Sequence, residues 1–141
     1  MRSYVRLTLA AEAYAVPVEH VLEAAELGPL REVPGARPEL LGVSNLRGQI
    51  LPVVDLAALL GVGSRMQRVG PPGRLLVTEA RGFQVGFAVD EVNGIGTLGD
   101  PAEPAPDNGP GLLLGATLSE GELVGVVDVP RVFDSLAGAG Q

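Results

Sequence analysis

The chain has no cysteine and no lysine, a single histidine and five aromatic residues. Without cysteine there is no disulfide framework, no thiolate metal site and no cysteine nucleophile, and the redox compartment is left unconstrained. All ten basic residues are arginines, set against seventeen acids for a net charge of −7. Residues 1–70 are balanced at seven arginines and seven acids, whereas residues 71–141 hold three arginines and ten acids. An acidic chain with no basic stripe and few rings for base stacking is poorly suited to nucleic acid. His20 has Glu23 one helical turn on, but no further partners at the spacing a catalytic triad or zinc site needs. No apolar run reaches the roughly 18 residues of a membrane span. The opening residues alternate like a strand, unlike a signal peptide or anchor, which favours the cytoplasm and excludes direct membrane insertion.

What is abundant is punctuation: 20 Gly and 12 Pro among 141 residues, with 46% hydrophobic residues to fill a core. That combination predicts many short strands joined by tight turns. It also carries a duplication. Residues 41–60 read as strand, polar turn, strand and short helix, and the same grammar returns 73 positions later without a gap. Gly42 falls on Gly115, Gly48 on Gly121, Val53 and Val54 on Val126 and Val127, and Asp55 on Asp128. Farther back, residues 14–21 match residues 85–92 at an offset of 71. One position differs in kind: the turn carries Arg47 in the first copy and Glu120 in the second. A duplicated scaffold with chemically different turns suggests a binding protein whose halves present different surfaces.

Along the chain, Val5, Leu7 and Leu9 alternate with polar residues, as in a half-buried strand. From Pro17 the spacing of Val18, Val21, Leu22 and Ala25 is helical, with Glu19, Glu23 and Glu26 opposite and Gly28 as the stop. A short strand is expected at 30–33, then strands at 41–46 and 49–54. Asp55 is placed to cap a helix over 56–60 that Gly61 ends. Residues 61–73 read as a linker. Strands follow at 75–78 and 83–89 around an Arg81-Gly82 turn, and residues 99–111 form a proline-rich loop. Asp128 caps a last helix whose buried face is Val129, Val132, Phe133 and Leu136, and the tail after Ala137 is expected to fray. Two halves of about 70 residues argue for two small barrels on a shared core, approximately 1–66 and 74–137, with exchange of strands left open.

Candidate chemistry is thin. Residues 94–99 spell G-x-G-x-x-G, but Asp100 and Pro101 follow where a phosphate-binding helix would have to begin. Asp55 and Asp128 occupy the same place before each helix, which makes them caps rather than a catalytic pair. No catalytic, cofactor or metal site is expected, so the chain reads as a non-enzyme. Arg47 stands apart. At a turn tip between Asn45, Leu46 and Gly48, nothing structural calls for a guanidinium, whose planar donors suit ion pairs with a partner.

Residues 42–56, Gly-Val-Ser-Asn-Leu-Arg-Gly-Gln-Ile-Leu-Pro-Val-Val-Asp-Leu, resemble the signature of the CheW family of chemotaxis coupling proteins. Residues 14–23, 86–92 and 115–129 fit the family pattern in order and spacing. The resemblance implies one domain over 1–141, built of two SH3-like five-stranded β-barrels around a shared core. It implies a non-catalytic adaptor that joins chemoreceptor cytoplasmic tips to the regulatory domain of a CheA-type histidine kinase. A scaffold of the same fold in another pathway, such as type IV pilus control, is the alternative. Arg47 matches the family's turn arginine, Asn45 and Gly48 its neighbours, and Val21 and Glu23 positions associated with receptor binding. The chain departs from the pattern at Ala24 and Ala25, and at Asn93, Gly94 and Ile95.

Overall fold

Short alternating runs bounded by tight turns build ten strands and two α-helices in the computed structural model, which describes residues 2–62, 73–102 and 111–139. The first half contains β1 (Arg2–Leu9), β2 (Glu12–Pro17), β3 (Val21–Glu26), β4 (Leu40–Leu46), β5 (Gln49–Asp55) and α1 (Leu56–Leu60). The second contains β6 (Arg74–Ala80), β7 (Phe83–Val89), β8 (Glu91–Leu98), β9 (Leu113–Ser119), β10 (Glu122–Val127) and α2 (Val129–Ala139). Four hairpins turn on two residues that both have positive φ: Ala10-Ala11, Arg47-Gly48, Arg81-Gly82 and Glu120-Gly121. This is the type I′ geometry, whose twist matches that of the flanking strands. Both helices start as the sequence predicts. Asp55 Oδ1 accepts from the Ala58 amide at 3.3 Å, and Asp128 Oδ1 accepts from the Arg131 amide at 3.1 Å. Gly61 ends α1 at φ 74°.

The strands form two five-stranded sheets, ordered β8-β1-β2-β10-β9 and β3-β6-β7-β5-β4. Each is one of two SH3-like barrels with its own small apolar centre. Tyr4, Ala15, Leu98, Val124 and Val126 fill the first; Leu41, Leu51, Val53, Leu75, Val77 and Ala88 fill the second. A larger core joins them, drawing Leu7, Val16, Leu56, Phe87, Val127 and Val132 from both sheets and both helices. Phe87 of β7 meets Phe133 of α2 edge to face, with ring centroids 6.4 Å apart.

Three expectations need correction. First, the barrels are not the contiguous halves 1–66 and 74–137. Each takes its first hairpin from one half of the chain and its remaining three strands from the other: β1-β2 with β8, β9 and β10, and β6-β7 with β3, β4 and β5. The exchange is reciprocal, and it is sealed by the parallel pairs β2·β10 and β5·β7. Second, the expected helix from Pro17 is a single 3-10 turn, Val18–His20, followed by strand β3. Strand pairing with β6 supplies backbone partners to this segment, and that tertiary gain overrides its helical spacing. A bulge at Leu22, between the pairs Val21↔Thr78 and Glu23↔Val77, shifts the alternation and gives the apolar residues their helix-like period. Third, the strand expected at 30–33 is a single antiparallel bridge, Arg31↔Val43. Its repeat counterpart is the bridge Ala102↔Ala116. The expected linker falls largely, and the proline-rich loop mostly, outside the described residues; α2 runs on to Ala139.

Candidate protein-docking site

The Arg47 turn gathers four of the five residues that the sequence marks for partner binding. Arg47 is held at φ 51° at the tip of the β4-β5 hairpin. Its side chain is 67% exposed, and its Nη2 donates to Glu23 Oε2 on β3. Strands β3 and β4 are the two edges of their sheet, so this ion pair ties one edge to the turn at the end of the other. Asn45 Oδ1 accepts from the Gly48 amide at 2.9 Å, closing the turn and fixing where Arg47 points. Val21, the fifth residue, lies on the other side of the Leu22 bulge and packs half-buried against the shared core. Asn45 and Gly48 thus shape the turn, whereas Arg47 and Glu23 present charge to solvent.

An apolar surface adjoins this turn, and sequence reasoning missed it. Ile50 is 67% exposed and Phe83 70% exposed. With Pro52, Val85, Phe133 and Leu136 they line a groove of about 720 Å³ between the β5 and β7 ends and α2. Alternation along 83–89 had placed Phe83 with the buried Val85, Phe87 and Val89. Its position directly after the Arg81-Gly82 turn puts it beyond the edge of the core instead. The signal was available: an apolar residue next to a tight turn sits at the barrel's end, where neighbouring strands no longer cover it.

The opposite barrel carries the counterpart surface. Cross-strand neighbours Leu118 and Leu123 are 70% and 64% exposed beside the Glu120 turn. Glu122 pairs with Arg6 at 3.5 Å. The molecule therefore has two apolar barrel ends, one tipped by arginine and the other by glutamate.

The remaining candidates have structural roles. Residues 94–98 of the G-x-G-x-x-G run lie in edge strand β8, where a bulge sets Val92 and Ile95 against Leu7 and Val5. Gly94 takes φ 100° at that bulge. His20 places Nδ1 3.1 Å from the Glu79 carbonyl oxygen. Tyr14 donates its hydroxyl to Glu12 Oε2 at 3.2 Å, and burial followed by the Glu12 charge pushes its pKa up to about 12. The Arg37 hydrogen bond at 2.8 Å holds the Glu39 carboxyl below its ordinary range. Among the described residues no group of three or more His, Asp or Glu is placed to hold a metal ion, and no helix is long and apolar enough to cross a membrane.

Comparison with known proteins bears on what this geometry serves. The family model described as CheW-like domain matches residues 3–137. A chemotaxis protein CheW of Rhizobium meliloti (strain 1021) is 30% identical, over 95% of this chain and 88% of the relative. Protein FrzA of Myxococcus xanthus is 36% identical, over 79% of this chain and 65% of the relative. The crystal structure of the scaffolding protein TtCheW from Thermoanaerobacter tengcongensis superposes with a TM-score of 0.82 at 23% identity, covering 94% of this chain and 92% of that one.

Proposed function

The chain belongs to the CheW-like domain family, whose members are non-catalytic scaffold proteins, and from that premise we propose that it is a cytoplasmic coupling adaptor. In this reading it joins the cytoplasmic tip of a chemoreceptor to the regulatory domain of a CheA-type histidine kinase. The observation that carries the reading is the Arg47-Glu23 pair beside an exposed apolar barrel end. Arginine next to a desolvatable apolar surface is the composition of a protein-binding hot spot. The second apolar end, with glutamate at its tip, supplies a separate face, as a protein with two partners requires.

Val21, Glu23, Asn45, Arg47 and Gly48 form the proposed partner-binding set. Arg47 and Glu23 make the contacts, Asn45 and Gly48 hold the turn, and Val21 positions β3 against the core. Direct measurement of binding to a kinase regulatory domain and to a receptor-tip peptide, each taken separately, tests the assignment. Arg47→Ala should leave unfolding within about 0.5 kcal/mol of wild type, as exposed positions do. It should weaken at least one complex by about 1–3 kcal/mol through loss of a charge-assisted hydrogen bond. Arg47→Lys should recover part of that loss, because lysine lacks the planar fork. Wild-type binding of both partners by folded Arg47→Glu would remove the basis for the site.

A further inference from the structure

Helix α2 leaves β10 in one barrel and ends on the other. Its first turns are anchored in the shared core by Val129, Val132 and Phe133, all buried. Its later part is held differently. Asp134 forms a two-pronged pair with Arg81 at the β6-β7 turn, at 3.0 and 3.1 Å. Arg37, itself bonded to Glu39, donates through Nη1 to the Ser135 carbonyl at 3.2 Å. Both arginines belong to the part of the molecule on which the helix rests, not to the part from which it comes.

Between these two ties stands Leu136, with a hollow on each side. On the Arg81 side lies the groove of about 720 Å³ described above. On the Arg37 side lies a second hollow of about 440 Å³, bounded by Ala36, Arg37, Leu40 and Val54. Pro52, Val85 and Leu136 line both. The end of α2 therefore divides one apolar trough without filling it, in contrast to the close packing around Val132 and Phe133. A side chain with space on both sides forfeits much of its dispersion contact. The ties that hold it are exposed: the Arg81 and Asp134 side chains are 56% and 57% accessible, so water and salt weaken their attraction.

We propose that residues 134–137 of α2 are a strap that lifts from the second barrel, merging the two hollows into one apolar trough at the end that carries Ile50 and Phe83. The strap is closed by Arg81 and Arg37 and opens without unfolding the barrels. Its consequence for signalling rests on the adaptor reading: the kinase regulatory domain seats on the open form, so the strap sets the fraction of adaptor ready to bind.

Amide hydrogen exchange followed residue by residue by NMR on the full chain tests the device. The Leu136 and Ala137 amides should exchange through local opening, well ahead of Phe87 and Val126. Arg81→Ala and Arg37→Ala should each speed that exchange by about two- to fivefold, the range of an exposed ion pair. Arg81→Asp combined with Asp134→Arg should restore it. Raising salt from about 0.1 M to 1 M shortens the screening length from roughly 10 to 3 Å. It should speed exchange in wild type but not in the Arg37→Ala/Arg81→Ala double variant. Exchange of Leu136 and Ala137 only with the core, or indifference to both arginine substitutions, would overturn the strap. In the binding arm, the double variant should take up the kinase regulatory domain more tightly by the factor through which opening increases, since apparent affinity scales with the competent fraction. Equal or weaker binding would overturn the gating role. Failure of the wild-type chain to bind any kinase domain would count against the adaptor reading, while exchange would still decide the strap.

Discussion

Replacing Gly42 with alanine tests how the edge strands are finished. Gly42 has φ +149°, and an added Cβ would lie 2.5 Å from the Arg31 carbonyl oxygen, where the 31–43 bridge crosses β4. Gly115 has φ +156°, and its Cβ would lie 1.8 Å from the Ala102 oxygen of the equivalent bridge. The obstacle in each case is backbone, so the crossing segment itself must move. That movement breaks the paired bonds Arg31 N–Val43 O and Val43 N–Arg31 O, at 2.9 and 2.8 Å. Two backbone hydrogen bonds contribute about 1 kcal/mol each, and forcing a side chain into this φ region costs about 1–3 kcal/mol. The lower entropy of the unfolded alanine chain returns about 0.4–1 kcal/mol. The net loss at Gly42 should be about 3 kcal/mol, with a fall in Tm of about 10 °C for a domain of this size, and at Gly115 at least as much. Gly48→Ala is the control: its φ is +85° but nothing lies within 4 Å of the added atom. It should cost only the left-handed penalty of about 1–2 kcal/mol. Urea unfolding with a constant m-value measures all three. If Gly42→Ala unfolds with Gly48→Ala or above it, the bridge is not what demands glycine.

Other consequences are open to direct measurement. The raised Tyr14 pKa, about 12 against an ordinary 10.0, means the folded state holds its proton more tightly. That stabilisation is complete below pH 10 and is lost as pH rises towards 12, by an amount on the order of 2 kcal/mol. Chemical unfolding across that range should show the slope, and Tyr14→Phe should remove this part of it. Glu39 works in the opposite sense: with its pKa lowered by Arg37, its contribution is present above the ordinary glutamate range and fades on acidification, and Glu39→Gln should flatten that limb of the stability profile. Asp128→Ala should lower stability by about 1 kcal/mol through the lost bond to the Arg131 amide, while leaving partner binding intact. A larger effect on binding than on stability would mean that Asp128 does more than cap α2.

The repeat made much of the architecture legible. Residues 42–56 and 115–129 matched without a gap, and both hairpins, both caps and both bridge glycines occupy equivalent places. Tight turns and alternation are local, and local stereochemistry is written in neighbouring residues. The candidate turn was legible for the same reason: Asn45, Arg47 and Gly48 lie within four positions, so no tertiary knowledge was needed to place them together. The misread segment, Val21 to Glu26, shows where local reading ends. Its apolar spacing fits a helix in isolation, and only pairing with β6 makes it a strand. Its repeat counterpart, residues 91–98, carried a usable warning, since Gly94 and Gly96 make poor helix there.

Chain order alone could not decide which strands share a barrel. Alternation says that a strand has a buried face but not whose edge it will join, and identical repeats can pair within a half or across halves. Reciprocal exchange arises in three dimensions, through β2·β10 and β5·β7. The same limit hid the Arg47-Glu23 pair, 24 residues apart and brought together by the two edges of one sheet. It also hid the exposed Ile50 and Phe83, which alternation alone would bury. Composition and turn chemistry specified the parts and the arginine at the tip. Long-range pairing decided what that arginine faces, because the free energy of burying both barrels' surfaces belongs to the whole chain and to no segment of it.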